Sequence, residues 1–383
     1  MPSRRRFLAC AGIGAGAVFV APQLAFAAAP GNRRFVFVIQ RGAADGLNIV
    51  VPYGDPAYAS LRRDLAIDPA TATRLDGHFA LHPALAEGAK MYAAGQALFV
   101  HAIASPYRDR SHFDGQNVLE TGGSNPYQVR DGWLNRLVGE LPHRPDDAIA
   151  LAPTVPQALR GPADVTSYAP SALPQAPDDL LARVGRLYQD DPQFHGLWSA
   201  ALATRGMAGE EVQGANPAGL GQLAASFLSR ADGPRIAMIE TGGWDTHTAQ
   251  NGRLAAQLKG LDTMLAALRD GLGPAWNDTI VLVATEFGRT AAANGTGGTD
   301  HGTASCAMVF GGAVKGGRVI ADWPGLAPSS LYEARDLKPT AGLDALISGV
   351  TAECFGLDPV RVGTKLFPGV GAAQRAMTGI VKT

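Results

Sequence analysis

Five stretches of strand length, RFVFVIQ (34–40), ALFVHAI (97–103), RIAMIE (235–240), TIVLVAT (279–285) and CAMVFGG (306–312), are almost continuously apolar and bounded by turn residues. A strand with one wet face alternates apolar and polar residues, so an unbroken apolar run marks a strand buried on both faces. Between these runs, residues 83–94, 112–121, 217–230, 249–272 and 339–353 have the length and amphipathic spacing of helices. Buried strands alternating with helices predict an α/β fold with a mostly parallel sheet covered on both faces. Residues 141–180, dense in Pro and Ala, read as an irregular excursion over the surface. There is no internal repeat.

The N-terminus, SRRRFLACAGIGAGAVFVAPQLAFAAAP, combines Arg4, Arg5 and Arg6 with a weak apolar run and the small-residue site Ala25-Phe26-Ala27. That is the layout of a secretory signal, and paired arginines before a weak apolar run point to the twin-arginine translocase. Pro22 and Gln23 break the run short of the ~20 apolar residues that a spanning helix needs. The expectation is cleavage near Ala27, leaving 28–383 as one periplasmic or secreted domain with no transmembrane segment. Twin-arginine export carries folded chains, which suits a protein that takes up a metal beforehand.

Loss of the three arginines takes the formal charge from −1 to −4, which gives no support to a nucleic-acid partner. Of three cysteines, Cys306 and Cys354 outlast cleavage; both read as buried thiols, so disulfides do not brace the fold.

In open parallel sheets, ligands sit outside the carboxyl ends of the strands. After the first strand come Arg41, Asp45 and Asn48; after the second, Arg108, Arg110, Ser111, His112 and Asp114. Glu240, Asp245 and His247 follow the third, and Glu286 and Arg289 the fourth. The loop GGTDHG then carries Asp300 and His301. Polar residues gather at one relative point of successive units, so GGWDTH and GGTDHG are expected to converge.

A mixed set of carboxylates and imidazoles suits a divalent ion such as Zn, Mn or Fe, and nearby arginines suit an anionic ester. Simpler roles fit the same residues. Asp245 or Thr246 would serve as N-cap of a helix from about 249, Asp300-His301 as turn residues, and Ser111 as a cap before His112. Glu286 and Arg289 would make a local ion pair, and His101, inside an apolar strand, would be a satisfied core histidine.

RGAADGLNIVVPYGDPAYASLRRDLAI, RSHFDGQNVLETG, GGWDTH, ATEFGRT, NGTGGTDHGTA and FGGAVKGGRVIADWPGL, in this order and spacing, resemble the exported bacterial family known as domain of unknown function 1501. The resemblance covers nearly all of the mature chain. That family is similar to the alkaline phosphatase and sulfatase superfamily, which implies a three-layer α/β sandwich with metals at the carboxyl ends of the strands. It also implies hydrolysis of small or polymeric phosphate or sulfate esters.

Carried over position by position, Asp45 resembles the superfamily's first metal ligand, Ser111 its nucleophile at a helix start, and Glu240 or Asp245 with His247 a later acid and histidine. The match then departs. Where many members have Asp-His directly after a strand, this chain has Glu286-Phe287, and its own pair comes fourteen residues later at Asp300-His301. Either that loop folds back to deliver the pair, or one metal position is lost. The candidate set is therefore Asp45, Asp245, His247, Glu286, Asp300 and His301 for metal, Ser111 for catalysis, and Arg41, Arg108, Arg110 and Arg289 for the anion. Two functional classes follow: a metal-dependent ester hydrolase, and a non-catalytic binding or envelope-assembly protein on the same fold.

Overall fold

The computed structural model describes residues 32–142, 144, 147–169, 178–208, 216–370 and 376–382. The expected signal at 1–27 lies outside the described residues, as does part of the 141–180 stretch.

The main sheet has nine strands: β1 (Arg34–Gln40), β2 (Ala97–Ala104), β3 (Ala148–Leu151), β4 (Thr166–Ser167), β5 (Ile236–Thr241), β6 (Thr279–Thr285), β7 (Ser305–Phe310), β8 (Arg318–Ile320) and β9 (Ala341–Gly342). Their spatial order is β8-β2-β7-β6-β1-β5-β3-β4, with β9 also on β2. All pairings are parallel except those of β7, which runs antiparallel to both β6 and β2. A small antiparallel sheet of Val50–Val51, Thr73–Arg74 and Ala80–Leu81 stands apart.

Alternate residues of β1 show why its sequence is apolar throughout. Phe35, Phe37 and Ile39 pack with helices α3 (Trp133–Glu140), α6 (Leu343–Phe355) and α7 (Pro359–Leu366). Val36 and Val38 pack with α1 (Ala86–Ala93), α4 (Pro217–Leu228) and α5 (Gln250–Leu272) on the other face. Helix α2 (His112–Thr121) follows β2. On α5, Leu254, Leu258, Leu261, Leu265, Leu268 and Leu272 repeat every three or four residues and are all buried, each contributing about 1.5–3 kcal/mol of burial. The expected three-layer α/β sandwich is present.

The structure differs from the sequence reading in several parts: helices Trp133–Glu140 and Pro359–Leu366 and strand Arg318–Ile320 were not read from it, and the helix read at 339–353 begins at Leu343, after strand Ala341–Gly342. Within the stretch read as irregular, Ala148–Leu151 is a buried strand parallel to β5. Four residues, two of them alanine, leave too short a run to signal a strand. The helical hairpin Asp178–Tyr188 and Pro192–Ala208 also carried no clear signal, because apolar residues such as Leu180, Leu187, Phe194 and Leu197 lie on its exposed side.

The antiparallel direction of β7 sets up the site. The parallel strands β1, β2, β5 and β6 end at one edge, and β7 begins there. The connection from 286 to 304 therefore never leaves that edge.

Candidate functional site

Two glycine-rich loops meet at this edge. Cβ at Gly298 would stand 2.3 Å from the His247 carbonyl carbon, and at Gly302 2.3 Å from that of Arg289, so only glycine permits these approaches. Backbone hydrogen bonds fold the 286–304 connection on itself: Gly288 N–H to Thr303 O (2.9 Å), Gly302 N–H to Gly288 O (2.8 Å) and Thr290 N–H to Asp300 O (2.9 Å). The loop thus folds back and delivers His301 beside Asp245 and His247.

Buried side chains fix the GGWDTH loop from below. Trp244 is 1% exposed and donates from its indole to Thr241 Oγ1 (3.0 Å). Gln250 Oε1 accepts from Thr246 Oγ1 (3.0 Å) and Thr299 Oγ1 (2.6 Å), tying the two loops together. Ala43, Arg110 and Ala249, in three loops of this edge, all have left-handed φ of 58°, 61° and 48°. Backbone in that region costs about 1–3 kcal/mol for a non-glycine residue and gathers at functional sites.

At the centre, His112 Nε2, Asp245 and His301 Nε2 offer ligand atoms within 4.8 Å of one another. His247 Nε2 lies 3.0 Å from His301 Nε2 and 3.0 Å from Asp245 Oδ1. His301 Nε2 is 3.4 Å from Asp245 Oδ1, and His112 Nε2 is 3.6 Å from Asp245 Oδ2. The other nitrogen of each ring is engaged: His112 Nδ1 with Glu286 Oε1 (2.8 Å), His247 Nδ1 with Asp300 Oδ1 (3.1 Å) and His301 Nδ1 with the Arg110 carbonyl (2.9 Å). A carbonyl or ionised carboxylate only accepts, so each Nδ1 carries a proton, and a ring in its neutral form turns a lone pair inward from Nε2.

Three imidazole Nε2 atoms and a carboxylate at this spacing need a proton or a metal cation among them. His112 Nε2 is buried and has no hydrogen-bond partner. Arg289 supplies part of the positive charge: it is 1% exposed, pairs with Asp245 and has Nη1 3.4 Å from His247 Nε2. Two ligands about 2.1 Å from one ion, at tetrahedral or octahedral angles, stand roughly 3.0–3.4 Å apart. The donor set fits such an ion.

Electrostatics agree with this arrangement. Burial alone would raise the Glu286 carboxyl, but hydrogen bonds from His112, the Gly42 N–H (2.8 Å) and Gln116 outweigh it and hold it below its ordinary value. Burial, with His112 close by, lowers His301. Burial likewise opposes ionisation of Asp245, and Arg289 with the histidines overcomes it. The hydrogen bond from Asn294 leads in lowering Asp300, against its partial burial, and His247 adds to it.

The sequence-predicted residues divide accordingly. Asp245, His247 and His301 meet at the centre, while Glu286 and Asp300 stand behind His112 and His247. Asp45 is 1% exposed, its oxygens accept two bonds from Arg62 and one from Gln250 Nε2, and among the described residues it makes no ion pair with the central histidines. Ser111 occupies the N-cap position of α2 without making a side-chain cap bond, next to His112. The N-cap of α5 is Ala249, so neither Asp245 nor Thr246 serves as its cap.

Among the arginines, Arg289 alone touches the centre. Arg41 is held by Glu120 (2.9 Å), Glu240 and Gln116, and Arg110 by Glu333 and Asp336. Arg108 lies apart, its Nη1 donating to the carbonyls of Ser105 and Tyr107. Sequence reasoning assigned no role to His112, which looked like an ordinary first residue of a helix. Its place directly after Ser111 at a strand's carboxyl end was the available signal.

The family model described as "Protein of unknown function (DUF1501)" matches residues 75–365. The chain belongs to that family. No curated protein sequence matches it. Among solved structures, it is similar to the lipoteichoic acid synthase LtaP from Listeria monocytogenes, with TM-score 0.44 and 10% identity over 90% of this chain and 76% of the other. It is also similar to the C-terminal periplasmic domain of EcEptC from Escherichia coli in complex with Zn, with TM-score 0.38 and 9% identity over 74% of each chain. A third is BT1596, a 2-O GAG sulfatase, with TM-score 0.36 and 11% identity over 91% of this chain and 72% of that one. Among the described residues, no helix is long and apolar enough to cross a membrane.

Proposed function

We propose that this protein is a divalent-metal-dependent hydrolase of phosphate or sulfate esters, exported by the twin-arginine route. One observation carries the reading: the Nε2 atoms of His112, His247 and His301 lie 3.6, 3.0 and 3.4 Å from the Asp245 carboxylate beside a buried arginine, and those of His247 and His301 3.0 Å from each other. Nitrogen and oxygen donors without thiolate suit Zn, Mn or Fe.

In this reading His112, Asp245, His247 and His301 hold the metal. Glu286, Asp300 and the Arg110 carbonyl act through the histidines, fixing each ring's tautomer and orientation. A bound ion would polarise the ester and offset charge that develops on it. Arg289, locked by its bonds to the Ala43 carbonyl (2.9 Å) and Asp245, directs positive charge to the same point. Ser111, at the start of α2 with its hydroxyl not used as a cap, is the nucleophile.

The test is metal analysis of protein purified from its exported form, joined to hydrolysis of p-nitrophenyl phosphate and p-nitrophenyl sulfate. Stoichiometric metal and turnover of either ester, both lost in His301→Ala, are expected. Absence of metal would sink the reading. Stoichiometric metal without turnover of any ester would replace the hydrolase with a metal-stabilised binding protein.

A further inference from the structure

Arg108 stands apart from the other arginines of the sheet edge. Arg41 has Glu120 and Glu240, Arg62 has Asp45, Arg110 has Glu333 and Asp336, and Arg289 has Asp245. Arg108 has no carboxylate partner among the described residues: its hydrogen bonds are both made by Nη1, to main-chain carbonyls, which leaves Nε and Nη2 without partners. Burial disfavours its charged form, and the nearby Tyr332 phenol offsets only part of that cost. A half-buried guanidinium with two idle donors is matched to an anion that the chain does not supply.

The room for that anion is present. Arg108 lines a cleft of about 360 Å³ with Ser105, Ser124, Thr340, Gly342 and Asp344. The Thr340 hydroxyl makes no hydrogen bond among the described residues, so it adds a second donor. Asp344 is the one acid of the lining; it is 7% exposed and sits in the first turn of α6, where its charge answers the positive end of that helix.

The cleft opens at the carboxyl ends of β2 and β9, on the same edge as the histidine cluster. Ser105 Oγ donates to the Glu286 carbonyl (3.3 Å), and Glu286 in turn holds His112. Three residues separate Arg108 from His112, so their Cα atoms, about four peptide steps apart, are at most roughly 14 Å from each other.

We propose that this cleft is a second anion subsite, which takes a further phosphate or sulfate group of the same substrate. The substrate is then a polyanionic ester, a chain or multiply substituted molecule rather than a simple monoester. The substrate assignment rests on the hydrolase reading; the anion site itself does not.

Inorganic sulfate is the probe, titrated by calorimetry into the full-length protein after chelation, so that the histidine cluster holds no metal. Sulfate should bind the parent, at least tenfold more weakly to Arg108→Gln, and with intermediate affinity to Arg108→Lys. If Arg108→Gln fails to fold, Thr340→Val, which leaves the loop bonds of Arg108 in place, should weaken sulfate several-fold. In metal-loaded protein, Arg108→Gln should raise KM for a bis-phosphate ester about tenfold more than for p-nitrophenyl phosphate, with kcat for both retained. Equal sulfate affinity in parent, Arg108→Gln and Thr340→Val overturns the subsite even where ester hydrolysis is intact. Arg108-dependent sulfate binding in a protein that hydrolyses no ester keeps the anion site and overturns the substrate assignment with the hydrolase.

Discussion

His101 in the core and the three histidines at the sheet edge are the same side chain in opposite situations. His101 is fully buried on β2; its Nε2 meets the Val50 carbonyl at 2.9 Å and its Nδ1 accepts from the Ala102 N–H at 2.8 Å. One donor and one acceptor serve a neutral ring completely. At the edge, His112, His247 and His301 turn Nδ1 to Glu286, Asp300 and a carbonyl, and their Nε2 atoms gather around Asp245. Two aspartates repeat the contrast: Asp45 is saturated by Arg62 and Gln250, whereas Asp245 is ringed by imidazoles. What separates a structural polar residue from a ligand is the count of protons against lone pairs around it, not burial or place in the chain.

The largest effect is expected where lone pairs are in excess. His301→Ala should lose the metal and, with it, ester turnover by on the order of 10³-fold or more. A metal held only by the native state adds about 4 kcal/mol at ~1,000 times its Kd, so chelation should lower the melting temperature of the parent but not of the variant. A chelator-insensitive parent would erase the contrast between core and edge.

The next effect concerns the saturated aspartate. Arg62 is 0% exposed, and Arg62→Ala leaves the Asp45 carboxylate buried without its partner, at a cost of about 3–5 kcal/mol. Denaturant unfolding should show this loss with and without metal. Asp45→Asn should retain stoichiometric metal in the folded fraction, because among the described residues Asp45 makes no ion pair with the central histidines. Metal loss in that variant would return Asp45 to the ligand set that the sequence alone pointed to.

That difference marks what was legible before the fold was known. Five of the nine strands of the main sheet were legible because burial on both faces writes continuous apolar runs, and the 112–121, 217–230 and 249–272 helices because their apolar residues recur at helical spacing. The meeting of GGWDTH with GGTDHG was legible from strand ends, since all of them point to one edge. The proton count was not. Arg62 reaches Asp45 from seventeen residues away and Gln250 from 205, and no local pattern announces either. Nor does sequence tell a carboxylate beside a histidine from one at a metal: Glu286 and Asp300, read as ligands, stand on the Nδ1 side of His112 and His247.

A smaller effect should appear on acidification. Burial pushes the His101 ring down to about 4, below the ~6.5 of an unfolded chain. Between those values the unfolded state takes the proton first, so native stability is present above pH ~6.5 and is lost as pH falls toward about 4. At ~1.4 kcal/mol per pH unit the full loss is about 3 kcal/mol. His101→Gln keeps a donor and an acceptor without titrating. In chelated protein its stability should fall less than the parent's between pH 7 and 4, by up to that amount. His82, lowered in the same sense, is common to both proteins and cancels. Parallel curves would show that burial does not hold the core ring neutral.

The smallest structural effect, with the sharpest chemical consequence, belongs to Ser111. Its position at the head of α2 is that of a cap, yet its side chain makes no cap bond, so Ser111→Ala should change stability by no more than about 0.5 kcal/mol. The Nε2 atoms and the Asp245 carboxylate are untouched, so the variant should hold metal and keep its chelator-sensitive melting. Ester turnover should nonetheless fall on the order of 10³-fold or more, because a nucleophilic hydroxyl has no substitute in a methyl group. Full turnover in Ser111→Ala, with metal bound, would move the nucleophile to a metal-bound water and leave Ser111 as the residue that only sets His112 at the start of its helix. A loss of metal in Ser111→Ala would instead show that the helix start itself, and not only the ring of His112, is part of what holds the cluster together.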